Sequence, residues 1–574
     1  MAVDVSKLNR RYEQLRTDRA GWDSAWRDLS ELFLPCRWRS DSDNTAHLSP
    51  KIATRLVNSA GVLAMRTLAA GMQGGMTSPV RPWFRLVLKG EQDGRGESGV
   101  NAWLDEVTQT MQVLFHQSNF YTAVHGLYAD LGTFGTGLLI ETADADGIHF
   151  HLVRAGEYVL DINGRGEVDT FFRHISMTAR QIVDLWGRGE NVPQYILSAA
   201  DAMAGSTARF DVVHAVYPRK DMKAGQVMGP ESKPFASVYF LPGGSGASSV
   251  GSRPSVLDEG GFDMFPAFAP RWDINGSDVY GRSPAMDVTP DCRMLQAMTR
   301  TLREMQHKIA DPPLVADSAL KSFGVRLAPS ALNYVDTTRT GMTPVTPIHQ
   351  PEPAALNFTM QGIKDVERII YDGLYTDLFR MLIDDDRRQI TATEIQAKQQ
   401  EKMMLIGPVV ERLHKELLEP LIQRTFALMR DWGALPEAPE GMDGTALDVT
   451  FESVLAQAQR MTATSAIDQG LAFVVQAAQA DPSVMDTLDM DAMSKAYLDR
   501  IGMPGSCLRD EDDIAALRQQ RAEAQAQQEA QQQAAAATQQ VSDVAAAAKN
   551  LGQAPTGADG QTLLGTILGG LGGM

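Results

Sequence analysis

Apolar residues recur at helical spacing along most of the chain and predict long amphipathic helices. In the first segment, Trp22 and Trp26 lie one turn apart, and Pro35 ends the periodic run. Two aromatic residues four positions apart share one helix face, which indicates packing into a core. The same spacing predicts a second helix over 52–72 that stops at a cluster of glycines and Pro79, and two more helices over 103–115 and 120–131.

The pattern changes between residues 138 and 268 to short β-branched and aromatic runs separated by turns. Asn163-Gly164 separates two of these runs and predicts a β-hairpin. The glycine-rich stretch 242–252 lacks the GxxxxGK[ST] spacing of a phosphate-binding loop, so it predicts a surface loop. Further strands are predicted at 82–88, 210–217, 237–241 and 447–451.

Helical periodicity returns after Pro284, in longer segments than before. One helix is predicted over 286–310 and a second over 353–383, with a small β-containing insert between them. Five consecutive charged residues then interrupt the pattern at 384–388. A third helix is predicted over 393–432, with a kink at Gly407-Pro408. The remaining predicted helices lie at 455–480, 490–501 and, in a stretch rich in Ala and Gln, 514–540.

Composition and charge limit the class of protein. The chain has 574 residues, 44% hydrophobic and 22% charged, which is ordinary for a globular protein of roughly two to four packed units. The balance of 53 basic against 71 acidic side chains gives a net charge of −18, which excludes wrapping of nucleic acid by broad charge neutralisation. Cys36, Cys292 and Cys507 show no CxxC spacing and fit a reducing compartment. The charged N-terminus predicts no signal peptide, and no apolar run is long enough for a membrane helix.

The search for catalytic and metal-binding patterns gives only weak candidates. His149 and His151 alternate along one predicted strand, but no acidic or cysteine partner follows at metal-ligand spacing. The three aspartates at 384–386 offer oxygen ligands, yet two arginines follow them directly. GxSxG, HExxH and the EF-hand pattern do not occur. The sequence therefore predicts no catalytic residue, no metal site and no cofactor.

Six stretches carry more information in their order along the chain than any one of them carries alone. They are RxxWxxxW at 19–26, LAAGMQGGMTSPVRPWF at 68–84, SNFY to FGTG at 118–137, YGRSPA at 280–285, TATEI at 391–395 and LAQAQR at 455–460. In this order they resemble the head-to-tail connector, or portal, proteins of short-tailed double-stranded DNA bacteriophages. The resemblance covers residues 8–520, and the Gly-rich C-terminal end lies outside it.

The resemblance implies an α+β fold, mainly α, that assembles as a ring, typically a dodecamer. A heterologous contact that closes by rotation leaves a central hole, which suits a channel. The parts implied by the portal fold are a wing at 1–283, a first stem helix at 284–311, a clip at 312–352, a second stem helix at 353–383, a channel loop at 384–391, a long wing helix with a return strand at 392–453, a crown at 454–510, and a barrel helix with the Gly-rich end at 511–574.

The resemblance also implies where the protein acts and what it contacts. Arg387 and Arg388 would touch the phosphates of double-stranded DNA in the channel, weakly and without sequence preference, while Asp384, Asp385 and Asp386 would prevent the loop from trapping it. The implied protein partners are further copies of the chain, the large subunit of the packaging terminase, a tail adaptor, and the major capsid and scaffolding proteins. The implied location is one capsid vertex of the virion, after assembly in the host cytoplasm, with no membrane contact.

Two other functions stay open on the sequence alone. Another virion structural protein, such as a tail-tube or internal ejection protein, could also be large, acidic and rich in Ala and Gln at one end. The two stem helices around an insert and the TATEI stretch at 391–395 count against it. An enzyme of the packaging motor is the other alternative, and the lack of a Walker A pattern argues against it.

Overall fold

The structure, a computed structural model of the whole chain, divides into two units. The first unit comprises Met1–Arg95 and Trp103–Gly502, and the second comprises Gly96–Ala102 and Met503–Met574. The residues that the structure describes are 4–35, 37–38, 56–88, 98–144, 147–202, 209–220, 229, 232–243, 254–311, 314–316, 345–347, 352–383, 405–437, 439, 447–451, 471, 473–474, 476, 489–490, 492–494, 497 and 511–553.

Four helices open the chain, as the apolar spacing predicts. The N-terminal half of the first helix packs Leu8 and Tyr12 on a β-sheet, and its C-terminal half buries Trp26 completely. The side chain of Asp4 caps this helix by accepting the backbone N–H of Lys7. The four helices are α1 (Val5–Leu32), α2 (Ala60–Met76), α3 (Ser98–Gln117) and α4 (Phe120–Phe134).

The second helix differs from its prediction at both ends. It begins at Ala60, whereas 52–55 lie outside the described residues, and it continues through the glycine cluster to Met76. Tertiary packing outweighs the low helix propensity of glycine here. Gly71 lets the ring of Phe379 lie directly on the helix backbone, because a Cβ at residue 71 would be 2.1 Å from that ring.

Two antiparallel sheets occupy the middle of the chain, which confirms the predicted change of texture. The predicted hairpin at Asn163-Gly164 joins two neighbouring strands of the larger sheet. The smaller sheet has the order β3-β2-β9 and the larger one β4-β5-β6-β7-β8. The strands are β2 (Leu138–Asp144), β3 (Gly147–Val153), β4 (Tyr158–Ile162), β5 (Val168–Thr178), β6 (Arg209–Pro218), β7 (Phe235–Leu241), β8 (Ser255–Phe262) and β9 (Ala267–Phe268).

Two short helices beside the larger sheet are absent from the sequence predictions. α5 (Ala179–Trp186) and α6 (Gln194–Asp201) pack on β6 and β8 through a small cluster that includes Ile182 and Ile196. Each helix spans only eight residues, which is too short for a periodic pattern to stand out. The capping box between Thr178 and Gln181 was the one readable sign of α5.

Two strands that the sequence predicts in isolation pair with each other. β1 (Phe84–Leu88) runs antiparallel to β12 (Leu447–Phe451), and Phe84 lies opposite Phe451. More than 350 residues separate these strands in the sequence, so their pairing brings an early and a late segment of the first unit together.

The helices predicted around the insert are present. α7 (Pro284–Ala310) precedes the insert and α8 (Pro353–Gly373) follows it. At the base of the insert, β10 (Leu314–Ala316) pairs antiparallel with β11 (Val345–Pro347), which confirms its β content. The remainder of 312–352 lies outside the described residues.

The prediction of one continuous helix after the insert is wrong. α8 ends at Gly373, and a new helix, α9 (Thr376–Ile383), begins after Tyr375, whose φ of 54° breaks the helical path. Val288 of α7 packs directly on the backbone here, because a Cβ at Gly373 would lie 2.3 Å from the Val288 side chain. The turn redirects the chain so that α9 packs on α2.

The helix predicted over 393–432 is described from residue 405 and deviates from α geometry at an unpredicted place. α10 (405–413) and α11 (Glu419–Asp431) are joined by a π-helical turn at His414–Leu418. The kink predicted at Gly407-Pro408 falls near the start of the described part of this helix, which is helical there. Pro420 explains the π turn, because it donates no N–H and its ring would clash with the carbonyl four residues earlier.

The second unit contains the predicted helix rich in Ala and Gln. α12 (Glu511–Gln553) has 43 residues and is about 65 Å long, and its described side chains are exposed except for Ile514 and Leu517, which are partly buried. Of the helices predicted at 455–480 and 490–501, the structure describes residues 471, 473–474, 476, 490, 492–494 and 497, and all of these are helical. In the described part of the chain, no helix has an apolar stretch that could cross a bilayer.

Candidate functional site

The five charged residues predicted to act in the channel lie outside the described residues. They fall between Ile383, where α9 ends, and residue 405, from which the structure is described again. Their predicted contact with DNA therefore stays a prediction. The residues are Asp384, Asp385, Asp386, Arg387 and Arg388.

Two of the sequence motifs meet through a pair of glycines where α4 ends and α7 begins. Gly135 caps α4 with a φ of 77°, and a Cβ on it would lie 2.2 Å from the carbonyl oxygen of Gly281. A Cβ on Gly281 would lie 2.4 Å from the carbonyl oxygen of Gly135, so both positions require glycine. The Gly281 N–H donates to Thr136 Oγ1 at 2.7 Å, and the Ser283 hydroxyl donates to the Thr133 carbonyl at 2.7 Å.

The tryptophan motif of α1 joins the same place. The indole N–H of Trp26 donates to the carbonyl of Phe134 at 3.0 Å. The ring of Tyr280 lies edge-on to Trp26, with centroids 5.2 Å apart, and also contacts Trp22. The Tyr280 hydroxyl accepts the N–H of Leu160 at 3.1 Å. Three motifs, at 19–26, 118–137 and 280–285, thus form one buried cluster, which we call the motif junction.

An ion pair and several hydrogen bonds connect the π turn and α10 to the motif junction. The guanidinium of Arg271, 3% exposed, lies 2.7 Å from the carboxylate of Glu416, which also accepts the Arg271 backbone N–H at 2.9 Å. Arg412 donates to the Trp272 carbonyl at 2.7 Å, and the Trp272 N–H donates to the Gly135 carbonyl at 2.8 Å. The helix that follows the predicted channel loop is therefore bonded to the start of α7 through one short segment.

A second buried ion pair joins α11 to the smaller sheet. Glu141 is fully buried, with Arg424 Nε 3.2 Å from one carboxylate oxygen and the Thr425 hydroxyl donating to the other at 2.9 Å. Arg424 also donates to the carbonyl of Met264 at 2.9 Å. Burial raises the pKa of the Glu141 carboxyl to about 7, although the Arg424 charge and the Thr425 hydrogen bond act in the opposite direction.

A serine and a histidine lie at catalytic spacing in the larger sheet, but the proton is on the wrong nitrogen. Ser237 Oγ is 3.0 Å from His214 Nε2, the distance of a nucleophile and its base. Arg173 Nε donates to His214 Nδ1 at 3.0 Å, and a guanidinium cannot accept a hydrogen bond. The neutral ring of His214 therefore carries its proton on Nε2 and donates it to Ser237, whereas a general base must accept there. Burial holds the pKa of His214 well below its usual value, which keeps the ring neutral.

The histidines weighed as metal ligands belong to β3, as predicted. His149 Nε2 lies 3.3 Å from a carboxylate oxygen of Asp144. Burial, with help from the charge of Arg173, lowers the pKa of His151. Within the described ranges, no group of three or more His, Cys, Asp or Glu side chains converges on a point that could hold a metal ion.

An open cleft of about 640 Å³ borders the motif junction. Its apolar lining includes Trp272, Tyr375 and Leu405, and Leu405 is 65% exposed. Its charged lining includes Asp273, Asp287, Arg282 and Arg412.

The motifs could be found in the sequence, whereas the ion pairs could not. Glu141 and Arg424 lie 283 residues apart, and Arg271 and Glu416 lie 145 apart, so no local spacing links either pair. The one sign was an acidic residue directly after the apolar run Leu138-Leu139-Ile140, since a charge in a buried run needs a partner.

Comparison with known proteins gives consistent matches along nearly the whole chain. The sequence model of the family described as "Bacteriophage head to tail connecting protein" matches residues 5–508. The chain is 35% identical over 520 residues to a "Probable portal protein" of Bordetella phage BPP-1, covering 90% of each chain. It is 33% identical over 527 residues to a "Portal protein" of Salmonella phage epsilon15, covering 91% of this chain and 92% of that protein.

A solved structure titled "Neck of empty GTA particle computed with C6 symmetry" is a distant match. Its TM-score is 0.33 at 12% identity, covering 72% of this chain and 86% of that chain, and no conclusion follows from it. The family match over residues 5–508 and the two portal proteins that are similar along nine-tenths of the sequence are sufficient by themselves. This chain belongs to the bacteriophage head-to-tail connecting protein family.

Proposed function

We propose that this chain, a portal protein of the head-to-tail connector family, is one subunit of a closed ring at one capsid vertex. Double-stranded DNA would enter the capsid through the ring's channel and later leave through it. The observation that carries the proposal is the similarity to two portal proteins over nine-tenths of the chain. The ring would be a dodecamer in the virion, assembled in the host cytoplasm.

Exposed apolar side chains on the α7–α8 pair support assembly with further copies. α8 buries Ile363 and Ile370, yet it exposes 83% of Phe358 and 48% of Ile369. Met294 of α7 is 45% exposed. Large apolar side chains exposed on one helix pair are typical of a surface that contacts another protein. A heterologous contact between neighbouring copies would cover it and close a ring.

The element order supports the subdomains proposed for this chain. α7 and α8 are antiparallel, since Val288 contacts Gly373 and Met298 contacts Gly362, as a stem hairpin requires. The β10–β11 pair closes the base of the insert proposed as the clip. The proposed boundaries are wing 1–283, stem helices 284–311 and 353–383, clip 312–352, channel loop 384–391, long wing helix and return strand 392–453, crown 454–510, and barrel with C-terminal end 511–574.

The proposed contacts follow from these parts. Arg387 and Arg388 would guide passing phosphates weakly, and the acidic residues 384–386 beside them would limit the attraction. The clip would dock the large terminase subunit during packaging and the tail adaptor afterwards. The outer surface of the ring would meet the major capsid and scaffolding proteins.

The proposed role includes no catalysis. The His214–Ser237 pair does not conflict with this, because a histidine that donates its proton to the serine cannot act as its base. An ATP hydrolysis assay on the purified chain should give no turnover above the buffer blank.

The location can be tested on assembled particles. An antibody against the exposed helix α12 or the whole chain, applied to opened particles and imaged by electron microscopy, should label one vertex per particle. Labelling of every vertex, or of the tail tube alone, would contradict the proposal.

A further inference from the structure

A short exposed tip interrupts the otherwise buried motif at 68–84. Thr77 before the tip and Trp83 after it are buried, and Thr77 Oγ1 lies 3.3 Å from the hydroxyl of Tyr128. The indole N–H of Trp83 donates to the Tyr121 hydroxyl at 3.4 Å. Between these anchors, residues 79–82 (Pro-Val-Arg-Pro) are exposed, and we call them the tip.

The tip has the composition and rigidity of a binding element. Val80 is 87% exposed, the largest exposed fraction among the large hydrophobic side chains described. Pro79 and Pro82 fix two backbone φ angles, and the Val80 N–H donates to Ser78 Oγ at 3.3 Å. A segment already held in one conformation loses little entropy on binding. It therefore presents an apolar side chain and the cation of Arg81 in a fixed arrangement.

The cleft beside the motif junction offers the complementary chemistry. Trp272, Tyr375 and the exposed Leu405 supply an apolar wall. Of its two carboxylates, Asp273 lies 3.3 Å from Arg412, whereas Asp287 forms no ion pair within the part of the chain that the structure describes. An incoming apolar side chain with an adjacent cation fits this pattern.

Within one copy, the tip and the cleft lie at opposite ends of α4. Trp83, directly after the tip, is anchored to Tyr121 in the first turn of that helix, and Thr77, before the tip, contacts the hydroxyl of Tyr128 past its middle. The cleft includes Ser283, whose hydroxyl donates to Thr133 in the last turn. From Tyr121 to Thr133 the helix rises about 18 Å, which separates the Trp83 end of the tip from the cleft within one chain.

We propose that the tip of one copy docks in the cleft of a second copy of this chain, with Val80 against the apolar wall and Arg81 beside Asp287. The contact rests on the proposed ring, because a knob and a socket at opposite ends of the same molecule form a heterologous contact, which closes by rotation. It assigns a role to the exposed part of the motif that most strongly resembles the family.

Charge exchange on the full-length chain tests the contact. Arg81→Glu and Asp287→Lys should each raise the concentration for half-maximal ring formation about tenfold, measured by native mass spectrometry, and the double variant should restore it. Arg66→Glu, an exposed arginine of α2 outside the tip, is the matched control and should leave ring formation unchanged. Restoration in the double variant distinguishes a contact from a folding defect.

Cysteine pairing provides a second measurement that does not depend on charge. Val80→Cys combined with Leu405→Cys should give a ladder of disulfide-linked copies under mild oxidation, while either single variant should not. Absence of disulfide-linked copies, together with unchanged ring formation in Arg81→Glu, would overturn the contact without affecting the proposed ring. A wild-type chain that stays monomeric would overturn the ring and the contact together.

Discussion

Arg424 neutralises a carboxylate that has no access to water, and its loss has a predictable cost. Arg424→Met would leave Glu141 buried and charged without its counter-ion. We expect the free energy of unfolding to fall by about 3–5 kcal/mol at about pH 8. The loss should be smaller at about pH 5, where the Glu141 carboxyl binds a proton. Urea denaturation measures this, with Arg430→Met on the same helix as the control, since exposed pairs such as Arg430–Asp431 contribute about 0–1 kcal/mol.

The raised pKa of Glu141 predicts a pH dependence of stability with a definite sign. Burial moves this pKa from 4.5 to about 7, so the folded chain binds a proton more readily than the unfolded chain. The stability contributed by this group is complete below pH 4.5 and is lost as the pH rises through about 7. Glu141→Gln removes the titration. In urea unfolding, the free energy of unfolding of the Gln variant should therefore rise relative to that of the wild type between pH 4.5 and about 8. A difference that does not change with pH would contradict the raised pKa of Glu141.

At the level of single residues, the sequence predicts which side chains are important but not what they contact. Trp22, Trp26 and Tyr280 could be selected as motif residues, yet their meeting at one junction depends on chain segments more than 250 residues apart. The acidic Glu141 in an apolar strand was visible, but its partner was not. A residue type can be read locally, whereas a distant contact exists only in the folded chain.

At the level of elements, two glycines of α2 should respond in opposite ways to the same substitution. Gly71→Ala should destabilise the chain by about 1–3 kcal/mol, because the new methyl group overlaps the ring of Phe379. Gly74→Ala should stabilise it by about 0.4–1 kcal/mol, since a Cβ there meets nothing within 4 Å and alanine restricts the unfolded chain. Thermal unfolding of the two variants and the wild type measures both changes in stability. Equal effects at both positions would refute the packing of α9 on α2.

Helices and strands were largely predictable, whereas the interruptions within the helices were not. The apolar period predicts α1, α4 and α7 because each buries one continuous face. The break at Tyr375 and the π turn at His414–Leu418 have no such signature. The first accompanies the packing of Val288 on Gly373, a contact between distant segments, whereas Pro420 is a local sign of the second that apolar periodicity does not register. Apolar periodicity therefore predicts the buried face of a helix but not the positions at which the helix is interrupted.

At the level of the whole molecule, the channel loop should affect DNA without affecting assembly. Replacing Arg387 and Arg388 by Ala should leave ring formation intact, because exposed ion pairs contribute only about 0–1 kcal/mol. Particles carrying both changes should contain less DNA, measured as genome copies per capsid. A double Ala substitution at Arg180 of α5 and Arg188 in the turn that follows α5, both exposed, is the control. Unchanged genome content in the first variant would remove the loop from the proposed channel.

The order of motifs along the chain was the strongest global signal in the sequence. No single stretch identified the family, but six in sequence did, and the family match over residues 5–508 agrees with them. The arrangement of copies could not be predicted in the same way, because a contact between chains leaves only indirect traces, such as the exposed Phe358 and Val80. The proposed ring therefore has to be tested on the assembled protein.

The most direct test is imaging of the purified full-length chain by negative-stain electron microscopy, with its mass measured in the same physiological-salt buffer. We expect closed rings with a central channel in end-on views, with a mass near twelve copies of the 62.6 kDa chain. A ring with one copy more or fewer would still agree, because the same heterologous contact closes it. A stable monomer with no ring in any view would contradict the account.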